Sequence, residues 1–388
     1  MKKVLVSGVQ SSGTLHIGNY FGAIKQNVDL ANSGDYESYV FIADYHSMTT
    51  LTDSEARRKS IFDTACVYLA CGLDVSKANL FKQSDVPQHT ELSWILSTVT
   101  PVSMLNLAHA YKDKIPTDMN SILSLSDDEG KIAEQINNIQ IRTDGEISQV
   151  LDGKKFFMLK KQAYNEILEL KYEKVNAGLF TYPVLMAADI LMYNADIVPV
   201  GSDQKQHVEM TREIAGKYNR AYAKNDSEDF SFKMPQAFVK DDVAIVPGLD
   251  GIKMSKSKGN VIPLFASDEV LKKAVFEIVT DSARPEDKKI SEENNIYKIH
   301  SLFLNETEKE ILKNKFENAS AQHPYGYKQA KDELLESIIR YTSNMRDKYN
   351  YYQNNPAEVY SILQAGATQA KLIAEQNIKT IRKQVGLD

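Results

Sequence analysis

Cysteine is almost absent from this chain. The only two in 388 residues, Cys66 and Cys71, exclude a disulfide scaffold, and their spacing is not a zinc pattern. They sit in an apolar helical stretch, 65–73, and read as small core residues of a reducing compartment. No apolar run is long enough to cross a bilayer and no signal peptide is visible, so the expected location is the cytoplasm. Positive charge is not in excess: 46 Lys and Arg stand against 52 Asp and Glu, a net charge of -6. Any nucleic acid must therefore be met by a local basic patch rather than a global field. Two common phosphate-binding signatures are also missing, since no Gly-Lys-Ser/Thr closes a Walker loop and there is no GxGxxG run. The remainder, 43% hydrophobic and 25% charged, is ordinary for a globular protein. The length suggests two or three domains and permits a sizeable core.

The chain does carry a strand, a Gly/Ser-rich turn and a helix start near its beginning. Val4-Leu5-Val6 reads as a buried strand, Ser7 to Tyr20 as the turn, and Phe21 to Ile24 as the start of a helical pattern. Backbone N–H groups and the dipole at such a helix N-terminus favour an anion. Gly13 and Gly18 permit close approach, and Ser11, Ser12, His16 and Asn19 add side-chain donors. A second stretch, Gly248 to Asn260, sets three lysines and two serines between glycines. Alone it reads as a solvated charge run or as a mobile cationic loop suited to gripping a polyphosphate.

Together the two stretches resemble a known family. His16-Ile17-Gly18-Asn19 is similar to the HIGH signature of class I aminoacyl-tRNA synthetases, with Asn in the last place. Lys253-Met254-Ser255-Lys256-Ser257 matches their KMSKS signature without change. The resemblance implies an α/β fold, a Rossmann-like (HUP-type) doubly wound parallel sheet with a C-terminal all-helical domain.

Residue order agrees with that fold. Val40 to Ile42 is a second strand, followed by Asp44 and His46, and Asn79 to Phe81 is a third, followed by Gln83-Ser84-Asp85. Residues 54–72 read as a helix capped at Thr52-Asp53-Ser54. This βαβαβ order predicts a parallel sheet, with ligand residues outside the carboxyl ends of its strands. His46 is thus either a pocket residue or a structural histidine. Residues 90–111 read as helical, broken at Pro101, and 115–175 as a small insert of unassigned role. Residues 177–193 form an apolar helix with one carboxylate, in which Tyr182, Met186 and Asp189 share a face. A buried Asp189 needs a donor. It either pairs within the protein or takes a ligand N–H, and an apolar pocket with one acceptor suits an indole, whose N–H is donor only. Asp196 to Glu213 then reads as strand, turn and helix start.

Tyr182-Pro183, Ala187 to Leu191, Val198 to Gly201 and Asp203 to His207 bring the resemblance to the tryptophanyl branch of the family. That resemblance also implies the site residues. By it, Asp189 reads the indole nitrogen, with Tyr182, Met186, Val198 and Val200 lining the pocket and Gln204 and His46 on the amino acid. ATP is bound by Gln10, Ser11, Ser12, Gly18, Asn19, Gly201, Ser202 and Asp203, and by the loop Lys253, Met254, Ser255, Lys256 and Ser257. His16, Asn19, Lys112, Lys253 and Lys256 stabilise phosphate charge, with Mg2+ carried by the ATP phosphates and no metal site of the protein's own. Ser11 and Ser202 depart from a proline and a frequent Glu in the family. The partners implied are L-tryptophan, ATP, tRNA(Trp) and a second copy of the chain. The catalytic domain is expected over 1–266 and a helical anticodon-binding domain over 267–388, its last helix packing back on the first. A tyrosine-specific relative stays open as an alternative. So does a synthetase-like sensor of tryptophan or ATP, against which the intact lysine loop argues.

Overall fold

A computed structural model of the chain describes residues 2–9, 15–108, 176–201, 204–223, 230–239 and 246–388, without the Ser257 side chain. The expectations for Gln10, Ser11, Ser12, Lys112, Ser202, Asp203, the Ser257 side chain and the 115–175 insert lie outside these residues.

Alternating strands and helices build the first part. Strand β1, Lys3–Val9, leads to the helical turn α1, Ile17–Asn19, a π-helical turn, Tyr20–Ile24, and helix α2, Lys25–Asn32. Strand β2, Tyr36–Ile42, leads to the short α3, Asp44–Ser47, and to α4, Ser54–Ala70. The α4 cap is Asp53, whose carboxylate accepts from the Glu55 and Ala56 N–H groups. Strand β3, Ala78–Lys82, precedes α5, Gln88–Ser97, and α6, Val102–Leu105, separated by Pro101. Helix α7, Ala177–Leu191, is capped by the Asn176 side chain. Then come β4, Ile197–Pro199, α8, Lys205–Tyr222, and β5, Gln236–Phe238.

The five strands pair in parallel in the order β3-β2-β1-β4-β5. The order reverses at β1, so the crevice between the carboxyl ends of β1 and β4 is where a ligand belongs in such a sheet. This is the doubly wound α/β fold expected from the sequence.

From residue 267 onward the chain is helical. The longer elements are α9, Asp268–Phe276, α10, Asn295–His300, α11, Glu306–Glu317, α12, Tyr327–Asn354, and α13, Pro356–Val385. Ser267 caps α9, and Pro356 occupies the first turn of α13, where its missing N–H costs nothing. One apolar cluster runs from Ile17, Val28, Val40 and Tyr68 beside the sheet to Leu271, Phe316, Leu334 and Leu363 in the helices.

The last helix returns to the sheet. It crosses the edge strand so closely that a Cβ on Gly366 would lie 2.1 Å from the Leu80 carbonyl oxygen. Farther along, the Asn377 amide donates to the Met192 carbonyl, and the Gln384 amide donates to the carbonyls of Tyr222 and Phe230. Gly366→Ala must therefore push the helix off β3. The expected loss is about 3 kcal/mol, read as a lowered denaturation midpoint. A variant as stable as the parent would show that the helix does not lie against the strand.

Candidate active site

The His16-Asn19 signature begins a helix without a side-chain cap of the usual kind. Its backbone is stitched to the segment after the lysine loop instead. The Ile17 N–H donates to the Ile262 carbonyl at 3.0 Å, and the Leu264 N–H donates to the Leu15 carbonyl at 3.1 Å. Asn19 Oδ1 accepts from the His16 N–H at 3.2 Å, which leaves the amide as the donor end of that side chain. Gly18 is where the two signatures touch. A Cβ there would lie 2.9 Å from His16 Nδ1 and 3.2 Å from Met254 Cβ, so only glycine lets the loop methionine pack down. Met254 is buried, while Lys253 beside it is exposed.

The lysine loop is braced more than its charge run suggested. The Gly248 N–H donates to the Ile252 carbonyl, and the Met254 N–H to the Val246 carbonyl. The buried Asn260 accepts from the Ser255 N–H at 2.8 Å and donates to Asp250 Oδ1 at 2.7 Å. Lys256 to Lys258 form a single 3-10 turn closed by Gly259 at φ 66°. The lysine loop is here a braced hairpin, with Lys256 near His16. Burial, and then the charge of Lys256, hold the His16 imidazole down to about 4. His16 is therefore neutral at pH 7, a hydrogen-bonding group rather than a charge.

Neutral buried histidines make the stability of the fold depend on pH. Burial also lowers His300, whose Nε2 lies 2.8 Å from Ser337 Oγ, to about 4. Unfolded histidine takes its proton near pH 6.5, so between about 6.5 and 4 the unfolded chain binds more protons than the folded one. Stability is then complete above about pH 6.5 and falls as pH drops toward 4. The expected loss between pH 7.5 and pH 5 is about 2 kcal/mol for each of the two histidines, about 4 kcal/mol together, checked by urea midpoints. His300→Asn should flatten the slope, and an unchanged slope would sink this account.

The signature turn also reaches the helical part. Tyr20 Oη and Tyr341 Oη are 3.2 Å apart, and the Phe21 ring meets Phe303 edge-on at 5.1 Å.

The second half of the site lies where β2 and β3 end. Asp44 accepts from the Ser84 N–H at 2.9 Å and from the Ser84 hydroxyl, tying the two strand ends together. That anchors α3 and aims His46 at α7. There Asp189 is 1% exposed and is not short of donors. His46 Nε2 donates to its Oδ2 at 2.9 Å, and Gln83 Nε2 lies 2.7 and 2.9 Å from its two oxygens. His89 Nδ1 stands 2.8 Å from Oδ1, at hydrogen-bond length but off the N–H line. Of the two alternatives for Asp189, the structure thus displays the internal pairing. Burial raises this carboxyl, and the bond from His46 with the nearby His89 more than reverses that, so it titrates below the usual range and is ionised at pH 7.

Tyr182 faces the same His46, ring centroids 6.1 Å apart and edge-on. Its hydroxyl bonds His207 Nε2, and His207 Nδ1 lies 3.0 Å from Gln204 Oε1. Met186, Val198 and Val200 join one apolar cluster next to this row. Gly201 accepts from the Gln204 N–H at 3.0 Å where β4 turns into α8. A pocket of about 250 Å³ opens on the outer side of His46 and Tyr182, lined also by Thr49, Thr90, Asn176 and Leu185.

Sequence reasoning missed Gln83, His89 and His207 as partners of the pocket. Gln83 follows a strand end, the same signal that singled out His46. His89 carries no local signal, because its partner Tyr193 is distant in the chain, and His207 meets both the neighbouring Gln204 and the more distant Tyr182.

A match to the family described as tRNA synthetases class I (W and Y) runs over residues 2–127 and 157–342. The chain belongs to that family. It is 43% identical over 387 residues to the tryptophan–tRNA ligase of Fusobacterium nucleatum, covering 100% of this chain and 98% of that relative. It is 37% identical over 383 residues to the tryptophan–tRNA ligase of Campylobacter jejuni, covering 99% of each. Its fold is similar to the crystal structure of tryptophanyl-tRNA synthetase from Campylobacter jejuni complexed with ADP and tryptophane, with a TM-score of 0.76, 38% identity and 99% of both chains covered. A tyrosyl-tRNA synthetase from Archaeoglobus fulgidus, at 17% identity and TM-score 0.57, shares the fold alone. In this synthetase chain no helix among the described residues is long and apolar enough to cross a membrane.

Proposed function

We propose that the chain activates L-tryptophan with ATP and then charges tRNA(Trp). The observation that carries the reading is the pairing of two things at one end of the sheet. A lysine loop is packed against the His16-Asn19 turn, and a buried, ionised Asp189 stands beside Tyr182 and His46.

In the first step the tryptophan carboxylate attacks the α-phosphorus of ATP in line. The bond from that phosphorus to the bridging oxygen breaks, and pyrophosphate leaves with the electron pair. No covalent bond to the protein forms, so the enzyme works by positioning and by stabilising phosphate charge. The cations for this are Lys253 and Lys256, and the neutral donors are His16 and Asn19. Mg2+ would take phosphate oxygens as ligands and spread the charge that develops on them. In the second step a hydroxyl of the terminal tRNA ribose attacks the carbonyl of the adenylate, and AMP leaves.

Asp189 as the indole acceptor, with Tyr182, Met186, Val198 and Val200 around the ring, belongs to this proposal. So do Gln204 and His46 on the amino acid, the ATP contacts of Gly18, Gly201, Met254 and Ser255, and the anticodon-binding role of residues 267–388. The homodimer is supported by Trp94 on α5, 74% exposed, with Val102 and Leu107 exposed nearby. A cytoplasmic location completes the reading.

The test is amino-acid-dependent ATP–pyrophosphate exchange, with tryptophan and tyrosine run side by side. Exchange with tryptophan alone is expected. Exchange with tyrosine instead would overturn the pocket assignment. Exchange with neither, in a protein that binds ATP, would move the reading to a sensor.

A further inference from the structure

Asp189 has two kinds of partner. Gln83 and His89 are fully buried on its inner side, each 0% exposed. His46 lies toward the pocket, its side chain 14% exposed. The inner pair is itself held from elsewhere. Gln83 Oε1 accepts from the Tyr45 N–H at 3.1 Å, which turns its amide nitrogen toward the carboxylate. His89 Nε2 is 2.7 Å from the Tyr193 hydroxyl. The His89 ring is also caged edge-on by three aromatic rings, Phe41 at 6.0 Å, Phe81 at 6.3 Å and Tyr193 at 5.5 Å. The cage encloses the imidazole, which is 0% exposed. Its placement is set by the sheet and by Tyr193, not by Asp189.

The Asp189 carboxylate is an acceptor only, so the His89 nitrogen 2.8 Å from it, Nδ1, is the one that carries a proton, and the Tyr193 hydroxyl can then donate to Nε2. A carboxylate has about four acceptor positions. Gln83 bonds to the inner side, His89 Nδ1 stands 2.8 Å from Oδ1, and neither can leave without breaking the core. The position now facing His46 is the one a ligand N–H can take.

We propose that His89, held by Tyr193, is a specificity-determining positioning residue: it pins the Asp189 carboxylate from behind so that the acceptor facing His46 is presented to the indole N–H. His89 does not touch the substrate. It acts on the choice of amino acid through Asp189, and in that sense the inference rests on the tryptophan reading above.

The experiment is pyrophosphate exchange with tryptophan and with its benzothiophene analogue, in which sulfur replaces the indole N–H. Full-length wild type, Tyr193→Phe, His89→Asn and His89→Leu are compared. Tyr193→Phe removes one hydroxyl and preserves the packing, so it answers the question even where His89→Leu fails to fold. For Tyr193→Phe and His89→Leu the expected result is a rise of about tenfold in KM for tryptophan. kcat should be little changed, and so should the constants for the analogue, so the preference for tryptophan shrinks about as much. His89→Asn, whose amide can donate from nearly the place of Nδ1, should recover most of the preference. Equal losses for tryptophan and analogue would mean that His89 only supports the core, and would overturn the proposal. An unchanged preference in Tyr193→Phe and His89→Leu would overturn it as well. Failure of the underlying reading shows separately and takes the proposal with it: wild type itself would then give no exchange with tryptophan, or none that distinguishes it from the analogue.

Discussion

Asp189→Asn is expected to lower kcat/KM for tryptophan about 10²–10⁴-fold, while a size-matched change among the apolar lining residues, such as Val198→Thr, costs far less. Two protein donors, Gln83 and His46, bond this one buried carboxylate, and His89 Nδ1 stands 2.8 Å from it. An amide of the same shape keeps one acceptor and sets an N–H₂ against donors that have nowhere to turn. The indole N–H would then meet either an N–H or an oxygen already claimed, and an unpaired buried donor costs more than a hydrogen bond contributes. Asp189→Ala removes the acceptor altogether. Because it leaves buried donors unpaired, it should also lower stability by about 3–5 kcal/mol, so the asparagine variant is the cleaner probe of selectivity. Both are measured by exchange with tryptophan, tyrosine and phenylalanine. Selectivity equal to the parent's would end the case for Asp189 as the indole reader.

Lys256→Ala should have an effect of similar size on the other substrate. Its ammonium is partly desolvated, which lowers its pKa, and it is near enough to His16 to depress that imidazole. A cation held in such a place is organised before the phosphates acquire their extra charge, and removing a preorganised group of this kind costs about 10²–10³ in kcat. Tryptophan binding, measured by equilibrium dialysis, should stay near the parent value. A kcat within a few-fold of the parent would exclude Lys256 from the phosphate step. An equal loss in tryptophan binding would mean that the substitution had collapsed the loop onto Gly18. Lys256→Arg keeps the charge but spreads it over a plane, and is expected to fall between the two.

These two predictions draw on opposite kinds of information. The lysine loop was legible in the sequence because its chemistry is contiguous: five residues carry the cations and the small polar groups. What the sequence did not convey was its bracing. Asn260 ties the hairpin from within, and Met254 packs under the other signature at Gly18. The carboxylate of Asp189 was legible as a residue in want of a partner, but its partners were not. Gln83 lies 106 residues and His46 143 residues from Asp189 in the chain.

Local sequence by itself determined the strands β1 to β3, the Asp53 cap, the break at Pro101, the all-helical second part and the two signatures. Each of these depends on backbone preference, side-chain period or a run of neighbouring residues, and those forces act over a few positions. Only the tertiary structure decided that His16 is neutral, that the last helix presses its glycine onto Leu80, and that Gln83, His89 and His46 gather around one acid. Burial and long-range hydrogen bonds set these features. Neither exists until strands far apart in the chain have paired and their carboxyl ends have been brought to the same edge of the sheet.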